Sequence, residues 1–350
     1  MRLLFEMFLK PLSALYGAVT MARNCLYDTK VNSEYRSEIP VISVGNLTVG
    51  GNGKTPLVVT IAQILISLGR QPAIVMRGYG GTECGPHFVT INDSTAKVGD
   101  EALLLAETLS IPVLVSRSRR EGLELLREKT NADVVILDDG FQHRAVARDL
   151  DIVTHYLGSD SAKSDFLKGR LLPEGKFREN RDRALRRASA VVFSSRSLHR
   201  ITSDKSIEQK VPSNLPIFYS NLRVTEIAVW ENGIRKVVNP SDLADREIVG
   251  VCGLGNPEAF KETIQTINGA IVGFHPFPDH HKFNLRDVDW LSKHYPHQFF
   301  LSTSKDMVKL LPLIKTNSTL AERWGEVVTA TEITPYEQFV ALLEVALKKN

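Results

Sequence analysis

The chain has 350 residues, 43% apolar and 24% charged, and its 43 Lys and Arg against 40 Asp and Glu leave a formal charge of +3. That length suits two domains, each with its own core, and the composition excludes collagen-like, low-complexity and disulfide-scaffold classes. Three cysteines (Cys25, Cys84, Cys252) lie far apart without metal-ligand spacing, and read as small buried residues of a reducing compartment.

Residues 1–22 read as an amphipathic helix, because Leu4, Phe8, Leu12, Leu15 and Val19 recur at helical spacing. Arg2, Glu6 and Lys10 interrupt its first half, and Pro11 to Ala22 runs uncharged for only 12 residues, short of the roughly 20 that a bilayer span needs. Glu6 also spoils the apolar centre that a signal peptide requires. Two readings stay open: a helix packed on the protein's own core, or one resting in a membrane interface.

After residue 38, short β-branched runs alternate with amphipathic segments. Val41–Val44, Ala73–Met76, Val113–Val115, Val134–Leu137, Ile152–Thr154, Ala190–Phe193 and Ile217–Tyr219 read as buried strands. Leu57–Leu68, Glu101–Leu109 and Arg120–Lys129 read as the helices between them. Apolar strands alternating with helices predict a mostly parallel sheet covered on both faces, an α/β fold. Arg223–Trp230 and Ile234–Val238 flank Glu231-Asn232-Gly233, a hairpin signal. The expected organisation is the helix 1–22, a core 23–220, a two-stranded linker 221–240 and a smaller α/β lobe 241–350. That lobe opens with Ile248–Val251, and its final helix is placed as one that can return to the core.

The strongest chemical signal is Val41-Ile-Ser-Val-Gly45 running into Asn46-Leu-Thr-Val-Gly-Gly-Asn-Gly-Lys54-Thr55, with Pro56 opening a helix. Glycines let backbone N–H groups close on phosphate oxygens, the helix N-terminus favours negative charge, Lys54 reaches the β/γ-phosphates and Thr55 can ligate Mg²⁺. Thr48, Val49, Gly50, Gly51, Asn52, Gly53, Lys54 and Thr55 are therefore the expected nucleotide-binding segment, although the usual pattern has glycine where Thr48 stands. Such a site needs a carboxylate at the end of a neighbouring strand to hold the metal. Asp138 and Asp139, directly after Val134–Leu137, supply it. Together the two features point to a nucleoside triphosphate and Mg²⁺. No Asn-Lys-x-Asp pattern occurs, which argues against a small GTPase, and Gly253-Leu-Gly255-Asn256 reads as turn geometry rather than a dinucleotide fingerprint.

Seven motifs then occur in order: Gly45 to Pro56, Arg77-Gly-Tyr-Gly80, Val98-Gly-Asp-Glu101, Asp138-Asp-Gly-Phe-Gln-His143, Gly169-Arg-Leu-Leu-Pro173, Phe277-Pro-Asp-His280 and Lys305-Asp306. This string resembles the tetraacyldisaccharide 4′-kinase (lipid A 4′-kinase) family over nearly the whole chain. Ser118 stands where the family has an acidic residue between two arginines, and Met307 replaces a small residue. The resemblance implies a P-loop NTPase-like α/β/α core and a second α/β/α lobe joined by a two-stranded linker. It implies ATP- and Mg²⁺-dependent phosphorylation of the 4′-hydroxyl of an acylated glucosamine disaccharide 1-phosphate, giving lipid IVA. It also implies a peripheral position at the cytoplasmic face of the bacterial inner membrane, which favours the interface reading of residues 1–22 on an anionic surface.

Phosphoryl transfer needs a proton acceptor near the attacking hydroxyl and cations over the moving phosphoryl group. Asp100 is the proposed general base, and the resemblance implies His280, 180 residues on, as its partner. Lys54 completes the catalytic set. Glu101 and Asp139 join Asp138 and Thr55 around Mg²⁺, with the choice between Asp138 and Asp139 as direct ligand left open. Gln142 and His143 are placed to position ATP or the sugar, and Arg77, Arg119, Arg178 and Glu179 match family substrate positions. Residues 168–187 hold eight basic side chains against three acidic ones, a surface suited to anionic headgroups. A membrane-associated P-loop ATPase switch without a lipid acceptor is the competing reading. Nucleic acid is not an expected partner, since Phe177 is the sole aromatic in the basic run and no recognised module is present. No obligate protein partner is expected.

Overall fold

The computed structural model describes residues 2–51, 53–195, 201–267, 269–315 and 317–348. Asn52, expected in the nucleotide loop, lies outside the described residues. Among the described residues, thirteen strands form one continuous sheet. They are β1 (Val41–Asn46), β2 (Pro72–Met76), β3 (His87–Phe88), β4 (Val113–Val115), β5 (Val134–Asp138), β6 (Leu150–Tyr156) and β7 (Ala190–Ser195), then β8 (Ile217–Glu231), β9 (Ile234–Val238), β10 (Glu247–Cys252), β11 (Ala270–Pro276), β12 (Phe299–Thr303) and β13 (Trp324–Thr334). The first lobe carries helices α1 (Arg2–Asp28), α2 (Lys54–Ser67), α3 (Thr95–Val98), α4 (Asp100–Leu109), α5 (Arg119–Lys129), α6 (Asp160–Lys168), α7 (Arg181–Arg187) and α8 (Lys205–Glu208). The second carries α9 (Pro257–Gln265), α10 (Leu285–His294), α11 (Ser304–Ile314) and α12 (Ser318–Ala321), and α13 (Tyr336–Leu347) follows β13.

The sheet order is β11-β10-β12-β13-β8-β7-β6-β1-β5-β2-β4-β3, with β9 attached to β8. Strands β8 to β4 along this order are parallel, as are β13 to β11, and the two parallel halves meet at an antiparallel β8/β13 seam. Here the structure corrects the expected linker. The Asn232-Gly233 hairpin forms, with both residues at positive φ (50° and 76°), but β9 only flanks β8. The ribbon that joins the lobes is β8 with the returning β13, paired from Tyr219/Thr334 to Val229/Gly325.

Alternation along the core strands builds both faces. Ile42 and Val44 of β1 pack with Leu57, Ile61 and Leu65 of α2 on one face. Val41 packs with Val135, Leu137 and α5 residues Leu123 and Leu126 on the other. Each such side chain is fully buried, worth roughly 1.5–3 kcal/mol apiece relative to exposure. α13 closes the first face, with Phe339 edge-on to Phe218 at 5.0 Å, so the chain's end packs on the core lobe. In the second lobe, Met307 is buried among Phe300, Leu310 and Trp324.

α1 runs six residues beyond its expected end and lies along the outside of the core lobe. Its inward face is polar: the Ser13 hydroxyl donates to Leu171 O (2.8 Å) and the Tyr16 hydroxyl to Arg178 O (2.9 Å). Gly17 permits the close approach, since a Cβ there would sit 2.7 Å from Leu171 Cδ1. The apolar stripe points the other way, with Leu12 53%, Leu15 63% and Val19 61% exposed, so it is not core. No helix among the described residues is long and apolar enough to cross a membrane. Cys252 is buried, but Cys25 and Cys84 are exposed, because one sits on the outer side of α1 and the other in the excursion after β2.

Candidate active site

β1 lies between β5 and β6, so its C-terminal end opens at the middle of the core sheet. The first part of the following loop is committed to structure. Val49 N donates to Lys176 O (2.9 Å) and Arg178 N to Leu47 O (2.8 Å), stitching the loop to the segment before α7. The Thr48 side chain is turned inward, 3.4 Å from His155 Nδ1, and burial holds that imidazole neutral by lowering it to about 4. Thr48 and Val49 therefore do not face the cleft. Gly50, Gly51, Gly53, Lys54 and Thr55 line it, so the cradle starts two residues later than the sequence suggests. Gly53 hands the chain into α2 at φ 76°, a left-handed conformation natural to glycine. The cleft has a volume of about 1830 Å³ and lies between the lobes.

The parallel register sets Asp138 beside Val44, which brings the end of β5 against the phosphate loop. Asp138 is buried and its Oδ1 has no hydrogen-bond partner. Burial, reinforced by the nearby Glu101 charge, pushes its carboxyl up to about 7. Asp139 behaves oppositely. Burial would raise it, yet the Lys54 ammonium at 3.3 Å and the Arg178 guanidinium at 3.1 Å outweigh that and hold it below the ordinary carboxylate range. Asp139 is thus bound to cations, whereas Asp138 offers a buried, unpartnered oxygen. Among the described residues no three His, Cys, Asp or Glu side chains converge as a protein-only metal cage. One carboxylate and a threonine hydroxyl beside a phosphate cradle fit Mg²⁺, which is typically held by one or two carboxylates plus substrate phosphates.

Across the cleft, the second lobe places His280 Nδ1 3.1 and 3.0 Å from the two Asp100 oxygens. Burial alone would push the Asp100 carboxyl up, but the His280 hydrogen bond and the Lys305 and Lys309 charges hold it at about 2. The same hydrogen bond raises His280 against the opposing effects of burial and Lys305. Asp100 is only 5% exposed, while His280 lines the cleft, so the imidazole stands in front and the carboxylate behind. The Tyr79 ring lies 5.3 Å from the imidazole. Gly253-Leu-Gly255-Asn256 is indeed a strand-to-helix turn; a Cβ on Gly255 would come 2.9 Å from Asp279 Oδ2, so the turn packs against the loop that carries His280.

The expected substrate residues divide into two groups. Arg77 and Arg178 line the cleft. Arg119 does not: it is buried and donates to Ser116 O (2.6 Å) and Asp138 O (3.2 Å), bracing the end of β5, and burial lowers it to about 10. Ser118, the departure from the family pattern, caps α5 by accepting from Glu121 N. Glu179 is also buried, receiving hydrogen bonds from Asn24 (3.0 Å), Gln142 (3.3 Å) and Arg187 (2.9 Å). It is an internal hub rather than a surface contact. Gln142 joins that hub to Arg178, whose Nη1 reaches its Oε1 at 3.4 Å. His143 is held below its usual value by burial and by Arg119, Arg148, Arg77 and Arg23. Within the basic run, Arg170, Lys176, Arg178, Arg181 and Arg187 each have an acidic partner, so much of its charge is locally balanced.

A family model for tetraacyldisaccharide-1-P 4′-kinase matches residues 5–348. The chain belongs to that kinase family. Curated tetraacyldisaccharide 4′-kinases of Syntrophus aciditrophicus and Paramagnetospirillum magneticum are 35% and 36% identical to it. The matches cover 89% and 86% of this chain and 86% and 85% of theirs. A crystal structure of LpxK from Aquifex aeolicus, described as an apo form in complex with ATP, superposes with a TM-score of 0.78. It is 30% identical, over 98% of this chain and 99% of that one. The α/β fold with its mostly parallel sheet and two lobes is thus a tetraacyldisaccharide 4′-kinase fold.

Within this kinase frame, four residues that the sequence reading gave no role take part in the site. Lys305 lies 3.3 Å from both Asp279 Oδ1 and His280 Nε2, and Lys309 3.3 Å from Asp100. Asp306 pairs with Lys309, and Asn24 of α1 anchors Glu179. Lys305-Asp306 was visible as a motif. Nothing local marks Lys309 or Asn24, because each acquires its role from a partner more than 150 residues away.

Proposed function

We infer that this chain transfers the γ-phosphoryl group of ATP to the 4′-hydroxyl of tetraacyldisaccharide 1-phosphate, giving lipid IVA. Family membership supports the reaction. The observation that carries the mechanism is the meeting of Asp100 and His280 across the lobes, in a cleft whose opposite wall is the phosphate loop. In this reading Gly50, Gly51 and Gly53 present backbone donors to the triphosphate, and Lys54 leaves Asp139 to meet the β/γ-phosphates. Asp138 and the Thr55 hydroxyl would hold Mg²⁺, with Glu101 beside them. When bound, the ion neutralises charge on the phosphate oxygens. His280 faces the acceptor hydroxyl, and the Asp100–His280 pair takes its proton as one unit, the carboxylate fixing Nδ1 and stabilising the charge that develops on the ring. Arg77 and Arg178 bind acceptor or nucleotide phosphates, which arginine grips with two donors at once.

The exposed stripe of α1 supports peripheral binding at an anionic membrane face, in the bacterial setting the cytoplasmic side of the inner membrane. Exposed Lys168, Arg183 and Arg186 would meet its headgroups. Incubation with γ-labelled ATP, Mg²⁺ and dispersed tetraacyldisaccharide 1-phosphate tests the reaction directly. Label in the lipid is the expected result. Release of free phosphate with unlabelled lipid would instead favour an ATPase.

A further inference from the structure

α11 presents Lys305 and Lys309, one turn apart, toward the start of α4, and the two are placed differently. Lys305 lines the cleft. Lys309 is buried, its side chain 7% exposed, with the ammonium 3.3 Å from Asp100 Oδ2, 2.9 Å from Asp306 Oδ1 and 5.5 Å from the centre of the Phe283 ring. Asp306 is fully buried and fixed from its other side, accepting from Gly253 N–H and the Thr303 hydroxyl, both at 2.8 Å. The row Asp306–Lys309–Asp100–His280 therefore starts in the second lobe, crosses into the first and returns.

An ammonium buried between two carboxylates is a poor adhesive. Its desolvation consumes most of the attraction, and apolar side chains of similar volume hold an interface as well or better. What it supplies is direction. Asp100 Oδ1 accepts from Glu101 N (3.0 Å) and Lys309 holds Oδ2, which keeps both oxygens turned to His280 Nδ1. Without Lys309, the nearest ammonium to Oδ2 is Lys305 at 3.9 Å, on the cleft side, and the carboxylate is free to swing toward it. We propose that Lys309 is a positioning residue for phosphoryl transfer: seated on Asp306, it sets the Asp100 carboxylate against His280 across the two lobes. This rests on the Asp100–His280 pair being the proton acceptor.

The test is a double-mutant cycle on the full-length enzyme with ATP and dispersed acceptor, reading kcat, KM and melting temperature. K309M should lower kcat roughly 10- to 100-fold, less than loss of a general base itself, with KM for ATP little changed. In the D100N background the same substitution should cost nothing further, and K309R should recover part of kcat. K309Q, which keeps a hydrogen-bond donor without charge, replaces K309M in the cycle should the apolar variant not fold. A normal kcat in the Lys309 variant beside a crippled D100N would overturn the Lys309 assignment alone. An equal loss with and without Asp100 would also overturn it, reducing Lys309 to a structural contact. Full kcat in D100N would overturn the proton-acceptor reading and the Lys309 role with it.

Discussion

The Lys54 ammonium lies 3.3 Å from an oxygen of Asp139, and Arg178 holds the two oxygens of that same carboxylate at 3.1 and 3.2 Å. The cation aimed at the triphosphate is therefore balanced by a protein carboxylate that a nucleotide can replace. K54A removes the donor and leaves Asp139 to Arg178. We expect kcat to fall at least about 10²–10³-fold, the scale on which a single preorganised donor contributes. Lys54 opens α2 and contributes nothing to its apolar face, so melting temperature should hold. Full activity in K54A would mean that the phosphate loop has been misassigned.

Asp138 carries a pH dependence of opposite origin. Its carboxyl is pushed up to about 7 by burial and by Glu101, so near neutrality it is partly protonated without metal. A cation needs the ionised form, and binding must expel that proton. Mg²⁺ affinity should thus be level above pH 7 and fall by up to about tenfold for each pH unit below it. Calorimetry in two buffers of different ionisation enthalpy should show proton release on Mg²⁺ binding, lost in D138N. No proton release at pH 6.5 would show that Asp138 is not a ligand.

How much of this was legible beforehand follows from the range of each interaction. The buried strands, the glycine loop and the carboxylates at the end of β5 are local patterns, and the structure forms them within a few residues of their expected limits. The β8/β13 seam was not legible, because β13 pairs about a hundred residues from β8 and Thr329–Thr334 lacks a strong apolar signal. Arg77 and Arg119 look alike in sequence, each following a strand, yet one lines the cleft and the other supports Asp138 from inside. Which face of an arginine meets water depends on neighbouring strands. Lys309 and Asp306, three apart on α11, resemble an ordinary helix-surface pair until α4 covers them.

The Asp100–His280 contact also predicts how the lobes respond to pH. The folded value of His280 is raised by its Asp100 hydrogen bond, so its contribution is complete below the unfolded value near 6.5 and is lost as pH rises through the folded one. Asp100 is lowered to about 2, so its contribution persists above the unfolded value near 3.8 and disappears only as pH falls toward 2. Between pH 6 and 9 the wild type should therefore lose melting temperature from His280, in addition to the loss that the buried Asp138 carboxyl contributes as it ionises near 7. D100N removes the group that raises His280 and should flatten the His280 part of that decline. A parallel decline in both proteins would place the alkaline loss elsewhere.

α1 divides its labour between two faces, and substitutions on each should report differently. Leu12, Leu15 and Val19 are more than half exposed. Replacing all three by serine should leave folding stability within about 0.5 kcal/mol per site, as for other surface positions. The same change removes side chains worth roughly 1.5–3 kcal/mol each when fully buried in an apolar phase. Flotation with anionic vesicles should drop at least tenfold. On the inner face, N24A takes one donor from the buried Glu179 carboxylate, a loss on the order of 1.5–3 kcal/mol for a hydrogen bond to a charged group. It should lower melting temperature while the apolar stripe, and hence flotation, stays intact. A triple-serine variant that still floats like the wild type would show that this stripe is not what meets the bilayer, whatever its exposure.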